Sequence, residues 1–200
     1  MTAPELKLTD PHSLRAYAHP LRLSLIGLLR SSGPMTATQA AAELGESVPN
    51  CSFHLRQLAK YGLAERAPGA DARERPWQAT ARSTSWDDDS DDPEMRAATD
   101  QLNSVILSQY LRYAETYLAR RHEEPVAWRT AAGFGDRVVH VTAQELIDLN
   151  AEMDALFARY DGRLTDPSAR PAGHREVKLV QLTIPRTPVP PAELSEADRD

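Results

Sequence analysis

The sequence predicts a mainly α fold with small β: a helical N-terminal domain closed by a hairpin, a long helix, and a small α+β segment. Three observations lead there. Between residues 10 and 61, apolar residues recur at helical spacing in stretches that open on capping residues or proline. The turn-rich run Pro68-Gly69-Ala70-Asp71-Ala72 separates two short strand-like stretches. Residues 93–122 then keep helical spacing without a breaker.

The elements follow in order. Asp10-Pro11 has the form of a helix start, Asp at the N-cap and Pro at the first helical position. His19-Pro20 restarts the chain into a second helix over 21–31, where Leu21, Leu25, Leu28 and Leu29 form one stripe to be buried. Gly33-Pro34 ends it. Thr36-Ala37-Thr38-Gln39 is a capping box, in which the Thr hydroxyl and the Gln amide satisfy each other's orphan backbone donors. The helix it opens stops at Gly45, and Ser47 caps the next, with Pro49 harmless in the first turn. Two helices joined by so short a turn are a helix-turn-helix. After Tyr61-Gly62, residues 63–67 and 73–80 read as hairpin strands, with Pro76 confined to an edge or bulge.

The second half begins with Asp87-Asp88-Asp89-Ser90-Asp91-Asp92, read as a linker whose carboxylates favour the N-terminus of the following helix. That helix, 93–122, aligns Leu102, Ile106, Tyr110, Tyr113 and Tyr117 in one apolar and aromatic stripe. Residues 137–141 and 175–184 read as strands. Between them Thr142-Ala143-Gln144-Glu145 opens a helix over 143–160, with Leu146, Leu149, Met153, Leu156, Phe157 and Tyr160 on one face. The proline-rich tail 185–200 reads as disordered. The divisions expected are thus a helix-turn-helix domain with its hairpin over 10–86, linker and long helix over 87–124, an α+β segment over 125–184, and the tail.

Composition narrows the function. The 200 residues are 41% hydrophobic and 26% charged, suiting one or two small domains. No run of about 18 apolar residues exists, so no membrane span is expected. Residues 1–10 lack the apolar core of a secretory signal. The single cysteine, Cys51, excludes an internal disulfide and a multi-cysteine metal site, and a reducing, cytoplasmic setting is the simplest expectation. The net charge of −6 is unevenly spread: residues 1–86 hold 10 Lys/Arg against 7 Asp/Glu, whereas 87–200 hold 13 against 22. A DNA-facing first half and an acidic second half fit that division.

The stretch Tyr17-Ala18-His19-Pro20-Leu21-Arg22-Leu23 through Ser52-Phe53-His54-Leu55-Arg56-Gln57-Leu58, with Leu63-Ala64-Glu65-Arg66 and the wing after it, resembles the ArsR family of winged helix-turn-helix transcriptional regulators. The likeness covers roughly residues 13–82. With Arg73-Glu74-Arg75-Pro76-Trp77 in the wing, the chain is similar to a longer, actinobacterial-type branch. The resemblance implies a winged helix-turn-helix followed by a long dimerisation helix and a small α+β segment. It also implies a homodimer on double-stranded operator DNA, acting as a repressor.

Spacing in the second helix of the motif places Cys51, Leu55 and Leu58 toward the core. Ser47, Val48, Pro49, Ser52, Phe53 and Arg56 then belong to the outward side, with Asn50 and His54 on its flanks. A major groove admits such a helix. Asn50, Ser52 and His54 hydrogen-bond base edges in this scheme, and Val48 and Phe53 pack on thymine methyls. Arg56 and Lys60 meet phosphate or guanine, and Arg66, Arg73 and Arg75 of the wing meet phosphates. The stripe from Leu102 to Tyr117 is the expected dimer interface.

No phosphate-binding glycine loop, nucleophile elbow or paired metal-binding histidines occur, so neither catalysis nor a cofactor is expected. With one cysteine and six scattered histidines, no metal site is expected, and any effector is expected to be a small organic molecule or a partner protein; a pocket for the former would be walled by Trp128, Phe134 and the tyrosines of the long helix. The competing reading is a winged helix that serves as a protein–protein interaction module without DNA binding.

Overall fold

The computed structural model describes residues 5–68 and 75–186. The chain forms two compact units, divided after Ala169. The first opens with strand β1 (Glu5–Leu8), followed by helices α1 (Pro11–Tyr17), α2 (Pro20–Ser32), α3 (Ala37–Leu44) and α4 (Val48–Lys60). Strands β2 (Ala64–Arg66), β3 (Trp77–Ala79) and β4 (Ser83–Trp86) come next, and then α5 (Pro93–Arg120). The short α6 (Val126–Ala131), α7 (Ala143–Phe157) and α8 (Gly162–Thr165) complete it.

Local chemistry sets the helix starts. Asp10 caps α1 by accepting from the Ser13 amide at 3.0 Å, and His19 caps α2, its Nδ1 accepting from the Leu21 amide at 3.2 Å. Thr36 and Gln39 close both halves of the capping box on α3. Gly45, at φ 66° and in the left-handed region, ends α3 where a side chain would be strained. Ser47 accepts from the Asn50 amide at 3.3 Å and starts α4 two residues later. Three residues therefore turn the chain from one helix into the next, which fixes α3 and α4 as a helix-turn-helix.

One apolar core binds these elements. Leu14 of α1, Leu25 and Ile26 of α2, Leu55 and Leu58 of α4 and Leu63 are all shielded from water. Each such side chain contributes about 1.5–3 kcal/mol by leaving water. The expected stripe on α2 holds except that Leu28 is half-buried and Ile26 takes its place in the core. The first turns of α5 join the same core through Met95, Ala98 and Leu102.

The hairpin is shorter than its sequence suggests. β2 and β3 pair antiparallel, Glu65 opposite Gln78. Pro76 precedes β3, so its missing N–H costs the ladder nothing, and its carbonyl accepts from the Ala67 amide at 3.0 Å. Trp77 continues the sheet on its other side, exchanging both backbone hydrogen bonds with Met35 at 2.9 and 2.7 Å. The buried Trp77 ring thereby locks the hairpin to the entry of α3.

Two findings depart from the sequence reading. Residues 5–8 form a strand that it did not foresee, pairing in parallel with β4 from Glu5 opposite Ser83 to Leu8 opposite Trp86. The Lys7 ammonium also meets the Asp87 carboxylate at 2.9 Å. In the other direction, 137–141 and 175–184 are irregular, not strands. A strand is defined by the partner it bonds to, and neither segment has a ladder among the described residues. Two short helices not foreseen in the sequence, α6 and α8, lie outside both of these segments.

The acidic run is tied down more than a linker would be. Asp88 accepts from the Trp86 indole and the Asn103 amide, both at 3.0 Å. The Arg96 guanidinium donates to the carbonyls of Ser90 and Asp91, and Asp92 caps α5. Farther on, α7 has its capping box at Thr142 and Glu145, but none of its residues is buried. In the second unit, residues 170–186 are irregular around a turn in which the His174 amide donates to the Pro171 carbonyl at 3.1 Å. Of the tail read as disordered, 187–200 lie outside the described residues.

Candidate nucleic-acid interface

Helix α4 carries the candidate surface, and its orientation follows from its core face. Cys51, Leu55 and Leu58 are fully buried, as the spacing predicts. Burial pushes the Cys51 thiol above its usual range, so it behaves as a small apolar side chain. With that face fixed, Ser47, Val48, Pro49, Phe53, Arg56 and Lys60 are exposed. Phe53 is 48% exposed and Val48 41%, so two apolar side chains stand on the outward face. Asn50 and Ser52 are half-buried beside them.

Polar contacts organise this face without covering it. The Arg56 guanidinium donates to the Ser52 hydroxyl at 3.1 Å, one helical turn back. The Asn50 amide donates to the Glu46 carboxylate at 3.0 Å. Lys60 rests over the Tyr61 ring, 5.5 Å from its centroid.

His54 is the correction. It was expected on the flank of the outward face, but only 7% of it is exposed. Its ring stacks against His19 of α2 with centroids 4.3 Å apart, and Phe53 meets it edge-on at 5.1 Å. The residue follows Cys51 by three positions and precedes Leu55, so it lies at the edge of the apolar stripe, and α2 covers that edge. A base-edge contact by His54 does not fit this position.

Burial depresses the affinity of both imidazoles for protons; the charge of Arg22 adds to the effect on His19, and those of His19 and Arg22 add to the effect on His54. Glu46 opposes it. The neutral rings stabilise the fold above the ordinary histidine value of about 6.5. That stability is lost as the pH falls below it toward the depressed folded values, because the unfolded chain takes up protons first. The melting temperature is expected to drop between pH 7 and 5, and less steeply in His54→Gln. Equal slopes for the two proteins would show that this pair does not govern acid stability.

The base of the wing supplies positive charge. The Arg66 guanidinium lies 3.7 Å from the centre of the Trp77 ring and donates to the Arg75 carbonyl. Its proton affinity is lowered by burial first and then by the charges of Arg75 and Arg56, so three cations converge near the end of α4. None of the three forms an ion pair with a carboxylate among the described residues. The neighbouring Glu65 accepts from the Gln78 amide at 2.8 Å. Arg73 lies outside the described residues.

The expected dimer stripe on α5 divides. Leu102 is wholly buried in the core of its own chain, so it belongs to that core and not to an interface. Ile106 packs against the same core, Tyr110 is half-buried, and Tyr113 is 43% exposed. The Gln109 amide donates to Ser24 of α2 at 3.0 Å and to the Tyr113 hydroxyl at 2.7 Å, marking where α5 leaves the domain. Tyr117 is half-buried and meets Phe134 with centroids 6.5 Å apart, but Phe134 is 67% exposed.

Residues 17–67, from the end of α1 through β2, match the family model of a helix-turn-helix domain. No curated protein matches the chain. Among the described residues, no helix is long and apolar enough to cross a membrane.

Proposed function

We propose that the chain is a sequence-specific transcription regulator of the ArsR type, which binds double-stranded operator DNA as a homodimer, represses transcription and is released by a non-metal effector. The helix-turn-helix domain points to DNA as the partner. The observation that carries the finer reading is the outward face of α4, where Val48, Pro49, Phe53 and Arg56 stand in solvent. Apolar side chains there suit thymine methyls, and the guanidinium suits guanine or phosphate. Arg66 and Arg75 extend the positive surface beside it, where a wing meets the backbone.

Two features support a dimer. Leu107, Leu111, Tyr113 and Leu118 leave the outer part of α5 apolar and exposed. Helix α7 exposes Ile147, Leu156 and Phe157. A second copy would bury both, and its two-fold symmetry would give two half-sites on the operator. A non-metal effector fits the inert, buried Cys51.

The test is recovery of the bound genomic fragments, followed by titration of one such duplex at several salt concentrations. If three to five phosphates are contacted per dimer half, log affinity is expected to fall against log salt with a slope of roughly −5 to −9. A flat response, with no preference among duplexes, would instead favour the reading as a protein–protein interaction module.

A further inference from the structure

A cleft of about 420 Å³ opens beside the turn between α3 and α4, between that turn, α2 and α5. His19, Ser24, Glu46, Asn50, His54 and Arg112 supply its polar walls. Pro20, Leu21 and Leu44 supply apolar ones. The volume far exceeds the roughly 30 Å³ share of one water and lies in the range of small-ligand sites.

Two groups of the walls are uncommitted, the buried His54 and the solvent-exposed Arg112. His54 is more than nine-tenths buried, yet its Nδ1 has no hydrogen-bond partner. Such an orphan is costly unless something supplies the missing bond. Arg112 forms no ion pair with a carboxylate among the described residues, although Glu46 lines the same cleft. The neighbouring groups are already used: Ser24 accepts from Gln109, Asn50 donates to Glu46, and His19 Nδ1 is held by the Leu21 amide.

We infer that this cleft binds a small organic monocarboxylate with an apolar or aromatic body. Arg112 pairs with the carboxylate, the His54 imidazole gains its missing hydrogen bond, and the body lies against the His19 ring, Leu21 and Leu44. A guanidinium binds a carboxylate through two parallel hydrogen bonds. The Glu46 charge disfavours a dianion, which sets the class at one negative charge. Asn50 and His54 both belong to α4, so the ligand contacts the helix that carries the outward face described above. On the proposed regulator reading, on which only this last consequence rests, the carboxylate is the effector.

The test uses the full chain with carbon-13-labelled histidine, without DNA, titrated with benzoate and separately with benzamide. Benzoate is expected to shift the His19 and His54 ring signals saturably, with a dissociation constant on the order of 1 mM or below. Arg112→Gln is expected to weaken that binding about tenfold while leaving the ring signals of the unliganded protein in place. Absence of a saturable shift, an equal response to uncharged benzamide, or undiminished binding by Arg112→Gln would each overturn the assignment. Because binding is read on the protein alone, failure of the regulator reading would leave a positive result standing. A second titration, with duplex present, then shows whether benzoate lowers DNA affinity.

Discussion

Replacing Phe53 and Arg56 together by alanine is expected to lower operator affinity about a thousandfold and to leave the melting temperature within a few degrees of the parent. Both side chains stand in solvent on α4, and neither belongs to the core. Each good base contact is worth about 1–3 kcal/mol, so two lost contacts remove about 4 kcal/mol, or three powers of ten. Affinity for unrelated duplexes should change much less, because Arg66 and Arg75 remain to meet phosphates. A gel-shift titration against operator and random duplex separates the two effects. Unchanged operator affinity would remove α4 from the interface. His54→Ala is predicted to behave differently: it empties a buried site against His19, so stability falls before base preference changes.

The second large effect contrasts two leucines of one helix. Leu102→Ala should cost about 2–5 kcal/mol, because the side chain is wholly buried in the core that also holds Leu14 and Met95, and its removal leaves a cavity. For a chain of this size that is a fall in melting temperature of roughly 5–20 °C. The proposed dimer should survive it. Leu111, 56% exposed, gives the opposite pattern. Leu111→Glu places a charge on the surface offered to a second copy and should leave a folded monomer at micromolar concentration. Sedimentation and thermal melts on the two variants decide it, and a dimeric Leu111→Glu protein would move the interface elsewhere.

What was legible in the sequence was mostly local. Asp10, Thr36, Gly45 and Ser47 act within a few residues of their own positions, so their caps and turns are written in adjacent letters. The core face of α4 was legible too, since Cys51, Leu55 and Leu58 repeat at helical spacing. His54 was not. Its fate depends on α2 arriving over the edge of the stripe, and no spacing within α4 encodes that.

The same distinction explains the strands. Val138, Val139 and Val141, and the apolar run from Val177 to Ile184, carry strand-forming residues, yet all of them remain well exposed in irregular chain. β propensity describes fitness for a pleated, half-buried surface, and without a pairing strand it produces none. Conversely, Glu5-Leu6-Lys7-Leu8 has the alternation of a strand but only four residues of it, too few to stand out until Ser83–Trp86 is seen beside it. The cleft at Arg112 was equally invisible, because its walls come from α2, from α3 and α4 with the turn between them, and from the distant α5.

The pairing of β1 with β4 also orders events during synthesis. The partner strand follows roughly 80 residues later, and a ribosome adding about 5–20 residues per second needs several seconds to make it. Leu6 and Leu8 therefore emerge long before any ladder can receive them. Closing so long a loop is entropically unfavourable and is repaid only when the intervening helices have already drawn the two ends together. The first described strand to be made is thus fastened only after helices α1 to α4 have been made between it and its partner.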